Sequence, residues 1–292
     1  MWMSEEQVYL NGEIVPLTRA TIPVTDRAVM FGDSAFETVR AYGGKPFRLG
    51  RHLERLAETC RILRMSPPAS AAQIEAAVAD LLAANGLGSQ GDAYVRITLT
   101  GGPSAGPKCL DRAGPVGIFI LAHPYEPPAE ADYQKGLSLA ISGIKRNASS
   151  PLTGIKTANL DSLFARQDGL DRGQDDAVML TTAGNIAETP YANIFMVKDG
   201  ELLTPNMGCG FLPGITREAV IEVALEAGMP VREIMENHET LMSCEEAFLT
   251  SSTIEIMPVC QVGTRLMTFC PGPLTQQLRQ AYRDLITREN AK

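Results

Sequence analysis

No stretch of this 292-residue chain is apolar for long enough to cross a bilayer. The longest, Val116 to Ala122, is far short of the roughly 20 residues a spanning helix needs. Met1 to Glu6 lack a basic segment leading into an apolar core, so no secretory signal is read there. Positive charge is in deficit: the formal net charge is -8 and the pI about 5.1. That excludes the electrostatic footprint of a nucleic-acid or anionic-membrane binder. Six cysteines (Cys60, Cys109, Cys209, Cys244, Cys260, Cys270) form no CxxC and no metal-ligand spacing. They read as reduced thiols, no metal site is expected, and the expected compartment is the cytoplasm. No Gly-x-Gly-x-x-Gly follows a strand signal, and there is no internal repeat or low-complexity tract.

What is there is ordinary globular material, 45% hydrophobic and 21% charged, enough for one large domain or two smaller ones. Val8-Tyr9-Leu10, Asn11-Gly12 and Glu13-Ile14-Val15 spell a tight hairpin. A second hairpin is expected at Thr38 to Tyr42, Gly43-Gly44 and Lys45 to Leu49. Leu53, Leu56, Ala57, Cys60 and Leu63 recur at helical spacing, and a further helix is expected over 71–84. The basic run on the first of these helices (Arg51, Arg55, Arg61, Arg64) reads as a solvated face. Strands are expected over 94–100 and 116–122. The proline-rich His123 to Ala129 reads as an extended linker. Beyond it, strands are expected over 137–141, 177–181, 194–197 and 247–250, with a hairpin at Asp199-Gly200. Helices are expected over 159–168, 216–227 and 273–288. The mixture predicts an α+β fold with a small domain over 1–124, a linker over 125–135 and a larger domain over 136–292.

Three segments could carry chemistry. Lys156, one of seven lysines, precedes a helix in Thr153-Gly154-Ile155-Lys156-Thr157. A lysine in a semi-apolar pocket can lose its proton and form a Schiff base with an aldehyde. On composition alone Lys156 is a surface residue, and Lys145 would serve as well. Gly184-Asn185-Ile186-Ala187-Glu188 places one carboxylate on a turn that opens a strand. Phe211-Leu212-Pro213-Gly214-Ile215-Thr216-Arg217 feeds a helix start, where free N–H groups suit a phosphate. Read singly, that loop is a capped helix start. Together the three supply a Schiff-base lysine, a partner for a pyridine nitrogen and a phosphate cradle.

Over nearly its whole length the chain resembles the class IV, fold type IV, aminotransferases that use pyridoxal 5'-phosphate. The resemblance runs through Phe31-Gly32-Asp33-Ser34-Ala35-Phe36-Glu37-Thr38-Val39-Arg40, His52-Leu53-Glu54-Arg55-Leu56, Arg146-Asn147 and the three segments above. It closes on Phe248-Leu249-Thr250-Ser251-Ser252-Thr253. It implies a small N-terminal α/β sandwich, a larger pseudo-barrel domain carrying the lysine, the cofactor between them, and a homodimer. Carried over by residue, Lys156 would hold the cofactor as a Schiff base and shuttle the substrate Cα proton. Glu188 would pair with the pyridine nitrogen. Arg55, Ile215, Thr216, Ser252 and Thr253 would receive the phosphate, with Asn193 in support. Phe36, Thr38, Arg40, Arg96 and Lys108 would lie on the substrate side.

The turn after Glu188 departs from the family habit, with Thr189-Pro190-Tyr191 in place of glycine and a small hydroxyl residue. Asn185 stands where a tyrosine is common in the branched-chain and D-amino acid subgroups. The Thr100 to Lys108 segment lacks the arginine and histidine of D-amino acid enzymes. The resemblance therefore implies a transaminase moving an amino group between an amino acid, branched-chain or otherwise apolar, and a 2-keto acid. Two other readings stand beside it. One is an aminodeoxychorismate lyase that releases pyruvate to form 4-aminobenzoate, and the other is a cofactor-binding protein without turnover.

Overall fold

The computed structural model describes residues 6–89, 91–104, 109–110, 112 and 114–291. The backbone packs as two units: Met1–Pro127 together with Ile155–Ala158, and Pro128–Gly154 together with Asn159–Lys292. Both mix helices with strands, the α+β class expected.

In the N-terminal unit, β1 (Gln7–Leu10) and β2 (Glu13–Pro16) form the expected hairpin. Asn11 and Gly12 both have positive φ, 49° and 106°, which a two-residue turn of this hand requires. Then come α1 (Arg27–Phe31), β3 (Ser34–Tyr42), β4 (Lys45–Pro46), α2 (Leu49–Ile62), α3 (Ala71–Ala84), β5 (Asp92–Thr100) and β6 (Gly117–Tyr125). The bounds of α3 match the expected ones because a capping box sets its start: Ser70 and Gln73 each accept the other's backbone N–H. The strands lie in the order β2-β1-β6-β5-β3-β4, with every pair antiparallel. Strand alternation sends Ala35, Val39, Val95, Ile97, Ile118 and Ile120 to one face, where Leu53, Leu56, Ile74 and Leu81 of α2 and α3 cover them. Each larger side chain so buried stabilises the fold by roughly 1.5–3 kcal/mol.

The segment 155–158 joins this unit because β3 holds it. Phe36 N–H donates to the Lys156 carbonyl at 3.0 Å, Ala35 bridges Thr157, and the Thr157 hydroxyl donates to the Ser34 carbonyl at 2.6 Å.

The C-terminal unit opens with α4 (Glu130–Lys135), β7 (Leu137–Arg146) and α5 (Leu160–Asp171). It continues through β8 (Asp176–Thr181), β9 (Ile186–Glu188), β10 (Asn193–Lys198), β11 (Glu201–Pro205), α6 (Ile215–Glu226) and β12 (Val231–Ile234). It closes with α7 (His238–Ser243), β13 (Glu246–Ser251), β14 (Glu255–Val262), β15 (Arg265–Leu266) and α8 (Pro273–Asn290). The sheet runs β12-β11-β10-β13-β14-β7-β8-β9, with β15 on β14. One face closes around Leu139, Ile194, Met196, Leu203, Leu249 and Val259, joined by Leu241 of α7. Alternate residues, among them the stacked Phe195 and Phe248 rings, point to the side on which α6 and α8 pack.

The extended connection expected over 125–135 is partly helical. Tyr125 still belongs to β6, and Glu130–Lys135 is α4. Glu130 and Asp132 occupy its first turn, and Asp132 accepts the Ala129 N–H at 2.8 Å, where the helix dipole favours negative charge. Among the described residues, no helix is long and apolar enough to cross a membrane, and no cluster of His, Cys, Asp and Glu is suited to a metal ion.

Candidate active site

The sequence-derived residues fall in two sets, one on each unit. In the N-terminal unit Lys156 is half-buried, with Nζ 5.2 Å from the centre of the Phe36 ring. Its own N–H donates to the Thr59 hydroxyl of α2 at 3.3 Å. Lys145, the alternative on composition, is exposed on β7. A half-buried lysine beside an aromatic ring is better placed to form a Schiff base in a semi-apolar pocket than a lysine at an exposed strand position.

The basic run on α2 is not one solvated face. Arg51, Arg61 and Arg64 are exposed, but the Arg55 side chain is only 10% exposed and ion-paired with Glu37. Arg55 sits on the inward side of the helix, one turn from Thr59, where a buried cation needs a counter-charge. Its Nε and Nη2 donate to the two Glu37 oxygens at 2.8 and 2.7 Å. His52 Nδ1 lies 2.7 Å from Glu37 Oε2. Burial alone would raise the Glu37 carboxyl, but the Arg55 guanidinium and the two sets of hydrogen bonds hold it at about 2. Burial pushes His52 below its usual range. Neither Glu37 nor His52 was singled out from sequence, though a signal existed: Glu37 is the one charged residue on the otherwise apolar inward face of β3.

Phe36, Thr38 and Arg96 line the opposite face of the same sheet and are half-buried. The Arg96 guanidinium lies 3.8 Å from the Phe36 ring centre, and Thr38 shares a hydrogen bond with Tyr94 at 3.4 Å. Arg40, on the same strand as Thr38, is buried. Its Nε donates to Asp92 at 2.8 Å, and the guanidinium stacks on Tyr42 and Tyr125. Lys108 lies outside the described residues.

In the C-terminal unit Glu188 ends β9, almost fully buried. One of its oxygens pairs with Arg146, the last residue of β7. The other accepts the Leu212 N–H at 3.2 Å. Three residues after Leu212, α6 begins. Ile215 and Thr216 are buried in its first turn, and the N-cap residue Gly214 offers no side chain to receive their N–H groups. A buried helix start without acceptors is costly unless a ligand fills it. The start of α8 does the opposite. There the buried Glu246 carboxylate accepts the Leu274 and Thr275 N–H groups at 3.1 and 2.8 Å and the Thr275 hydroxyl at 2.6 Å.

Asn193 supports the loop rather than pointing elsewhere. Its amide donates to the Leu212 carbonyl at 2.8 Å, and its oxygen lies where a Cβ on residue 214 would be, at 2.0 Å. Glycine is needed at 214 for close approach, not for φ. The Thr189-Pro190-Tyr191 departure closes a tight turn, with both the N–H and the hydroxyl of Thr189 donating to the Ala192 carbonyl. Ser252 and Thr253 form the turn after β13, where the Ser251 and Thr253 hydroxyls meet at 3.2 Å.

The amino-transferase class IV family model matches residues 34–262. The chain belongs to the class IV aminotransferases. It is 32% identical to the branched-chain-amino-acid aminotransferase of Escherichia coli over 294 residues, covering 97% of this chain and 94% of that one. The branched-chain aminotransferase of Thermoproteus uzoniensis, solved with norvaline, superposes with a TM-score of 0.86 at 31% identity, covering 96% and 94% of the two chains. The branched-chain enzyme of Thermobaculum terrenum, solved in its pyridoxal-phosphate holo-form, superposes with a TM-score of 0.86 at 28% identity, over 97% and 94%. The fold is therefore fold type IV, and the protein is a pyridoxal-phosphate-dependent transaminase of class IV.

Proposed function

We propose that the enzyme transfers the amino group of a branched-chain or similarly apolar amino acid to a 2-keto acid, with pyridoxal 5'-phosphate held by Lys156, Arg55, Glu188, Ile215, Thr216, Ser252 and Thr253. The observation that carries this reading is the Leu212–Thr216 loop. It joins a buried carboxylate to a buried, uncapped helix start, and so supplies a partner for a pyridinium and donors for a phosphate within a few residues. When bound, the cofactor supplies an electron sink that stabilises negative charge at the substrate Cα.

The chain's own groups do the rest. Glu188, fixed by Arg146 and the Leu212 N–H, would pair with the cofactor's ring nitrogen and keep it protonated. Lys156 would hold the cofactor through its amine and act as the base that moves the substrate Cα proton. Asn193 keeps the Leu212–Gly214 backbone in place. The half-buried Phe36 ring and the Thr38 and Arg96 side chains offer an apolar wall with one cation, which suits an apolar side chain and a carboxylate. The named relatives support the branched-chain assignment.

The six free thiols suit a reducing cytoplasm. The exposed apolar residues Leu160, Leu163 and Phe164, at i, i+3 and i+4 on α5, support a homodimer.

The test is a half-reaction without any keto acid. Leucine, isoleucine or valine should convert the bound cofactor to its amine form and release the matching 2-keto acid in one equivalent per site. Release of pyruvate from aminodeoxychorismate, with no conversion by these amino acids, would favour the lyase instead.

A further inference from the structure

Glu37 is fully buried on the face of β3 that packs against α2. A core gains little from a buried ion pair that an apolar pair of similar volume could replace, so its presence here calls for a reason. Two successive residues of β3 hold two different groups. Phe36 N–H fixes the Lys156 carbonyl, and the Glu37 carboxylate grips Arg55 side-on through Nε and Nη2. Thr59, one turn along α2 from Arg55, takes the Lys156 N–H. Strand and helix thus set the lysine and the arginine in one frame. Both hydrogen bonds run along one edge of the guanidinium, which fixes its plane and leaves no rotation about the last side-chain torsions. His52, one turn before Arg55, braces the carboxylate from the side by its Nδ1–H.

We infer that Glu37 is a positioning residue that orients the Arg55 guanidinium for the cofactor's phosphate, with His52 as its brace. This rests on the reading of Arg55 as a phosphate ligand given above. The opposing effect is plain. A carboxylate paired with Arg55 also cancels its charge, and charge cancellation alone would weaken the pull on a phosphate. The inference is that orientation outweighs it.

The experiment compares apo-enzyme affinities for pyridoxal 5'-phosphate and for pyridoxal, which lacks the phosphate, with melting curves as a check on folding. Glu37→Gln keeps the size but removes the charge and replaces one accepting oxygen with an NH2 donor, so the paired grip on Arg55 is lost. It should weaken pyridoxal-phosphate binding about tenfold and leave pyridoxal binding unchanged. Glu37→Asp, which retains the charge at shorter reach, should lose about threefold on the same ratio, and it stands in if the glutamine variant does not fold. An unchanged ratio in the folded variant, or tighter phosphate binding of the kind charge cancellation predicts, overturns the inference. Arg55→Met separates the two claims. It should lose about a hundredfold for pyridoxal phosphate only. If it loses nothing, the assignment of Arg55 itself fails.

Discussion

Two buried helix starts in the C-terminal unit are finished in opposite ways. At α8 the protein closes the start with its own carboxylate, and Gly272 is kept small because a Cβ there would strike Glu246 at 1.9 Å. At α6 no side chain among the described residues is seen to close the start, and Gly214 is kept small so that Asn193 can hold the preceding loop. Both ends carry the same partial positive charge and the same orphan donors. One is structural and complete; the other, on the proposed assignment, receives an anion that the chain does not itself provide. The lesson is that function can be read from a cost the fold declines to remove.

That contrast breaks most visibly under paired substitution. Glu246→Ala should strip three hydrogen bonds from a buried helix start and cost about 2–4 kcal/mol of stability, with cofactor affinity unchanged in the protein that remains folded. Gly214→Ala should do the reverse. Displacing the Asn193 amide loosens the loop, so cofactor affinity should fall about tenfold, with a stability change of about 1 kcal/mol. Thermal melts and cofactor titrations of the two variants read both effects. If Gly214→Ala moves only stability, the two helix starts are alike and the comparison fails.

A smaller effect sharpens the picture in the N-terminal unit. Burial holds His52 below its ordinary pKa, so the unfolded chain binds a proton that the folded chain refuses. Stability from this group is present above about 6.5 and is lost as pH falls below it. Glu37, held at about 2, acts in the same direction at lower pH: its contribution is present above about 4.5 and disappears as pH drops toward 2. Asp176 works against both, because burial raises it to about 6. It therefore adds stability as pH falls from about 6 to 4. Subtracting the His52→Gln stability profile from that of the native protein isolates the first of these. The difference should decline as pH falls from about 7 to 5; a flat difference would mean that His52 titrates alike in the folded and unfolded chains, and a rising one that it is charged in the fold.

Much of the fold was legible because it is written locally. The Asn11-Gly12 turn, the Ser70 capping box and the alternation along β5 each need only near neighbours in sequence. The short elements α1, α4, α7, β9 and β12 were not read, since three to six residues carry too little periodicity to separate them from loops. In the candidate site, Lys156, Glu188 and the Gly214 loop were found by resemblance, and composition alone left Lys145 as good a choice as Lys156. The structure adds what resemblance did not carry. Arg146 meets Glu188 across 42 positions in sequence, and Glu37 meets Arg55 across 18. Such pairs depend on strand register and helix placement. Yet a lone carboxylate on an apolar strand face, followed by His52 and Arg55 three apart on a helix, was a readable sign that a buried ion pair was coming.

The account stands most directly on which lysine carries the cofactor. Borohydride reduction of the holoenzyme, followed by proteolysis and mass spectrometry, would fix the cofactor to its lysine irreversibly. The account predicts a single phosphopyridoxyl-labelled peptide, the one containing Lys156, and no label there after reaction with a saturating amino acid substrate. Label on Lys145 or on another lysine, or none on any, would contradict it.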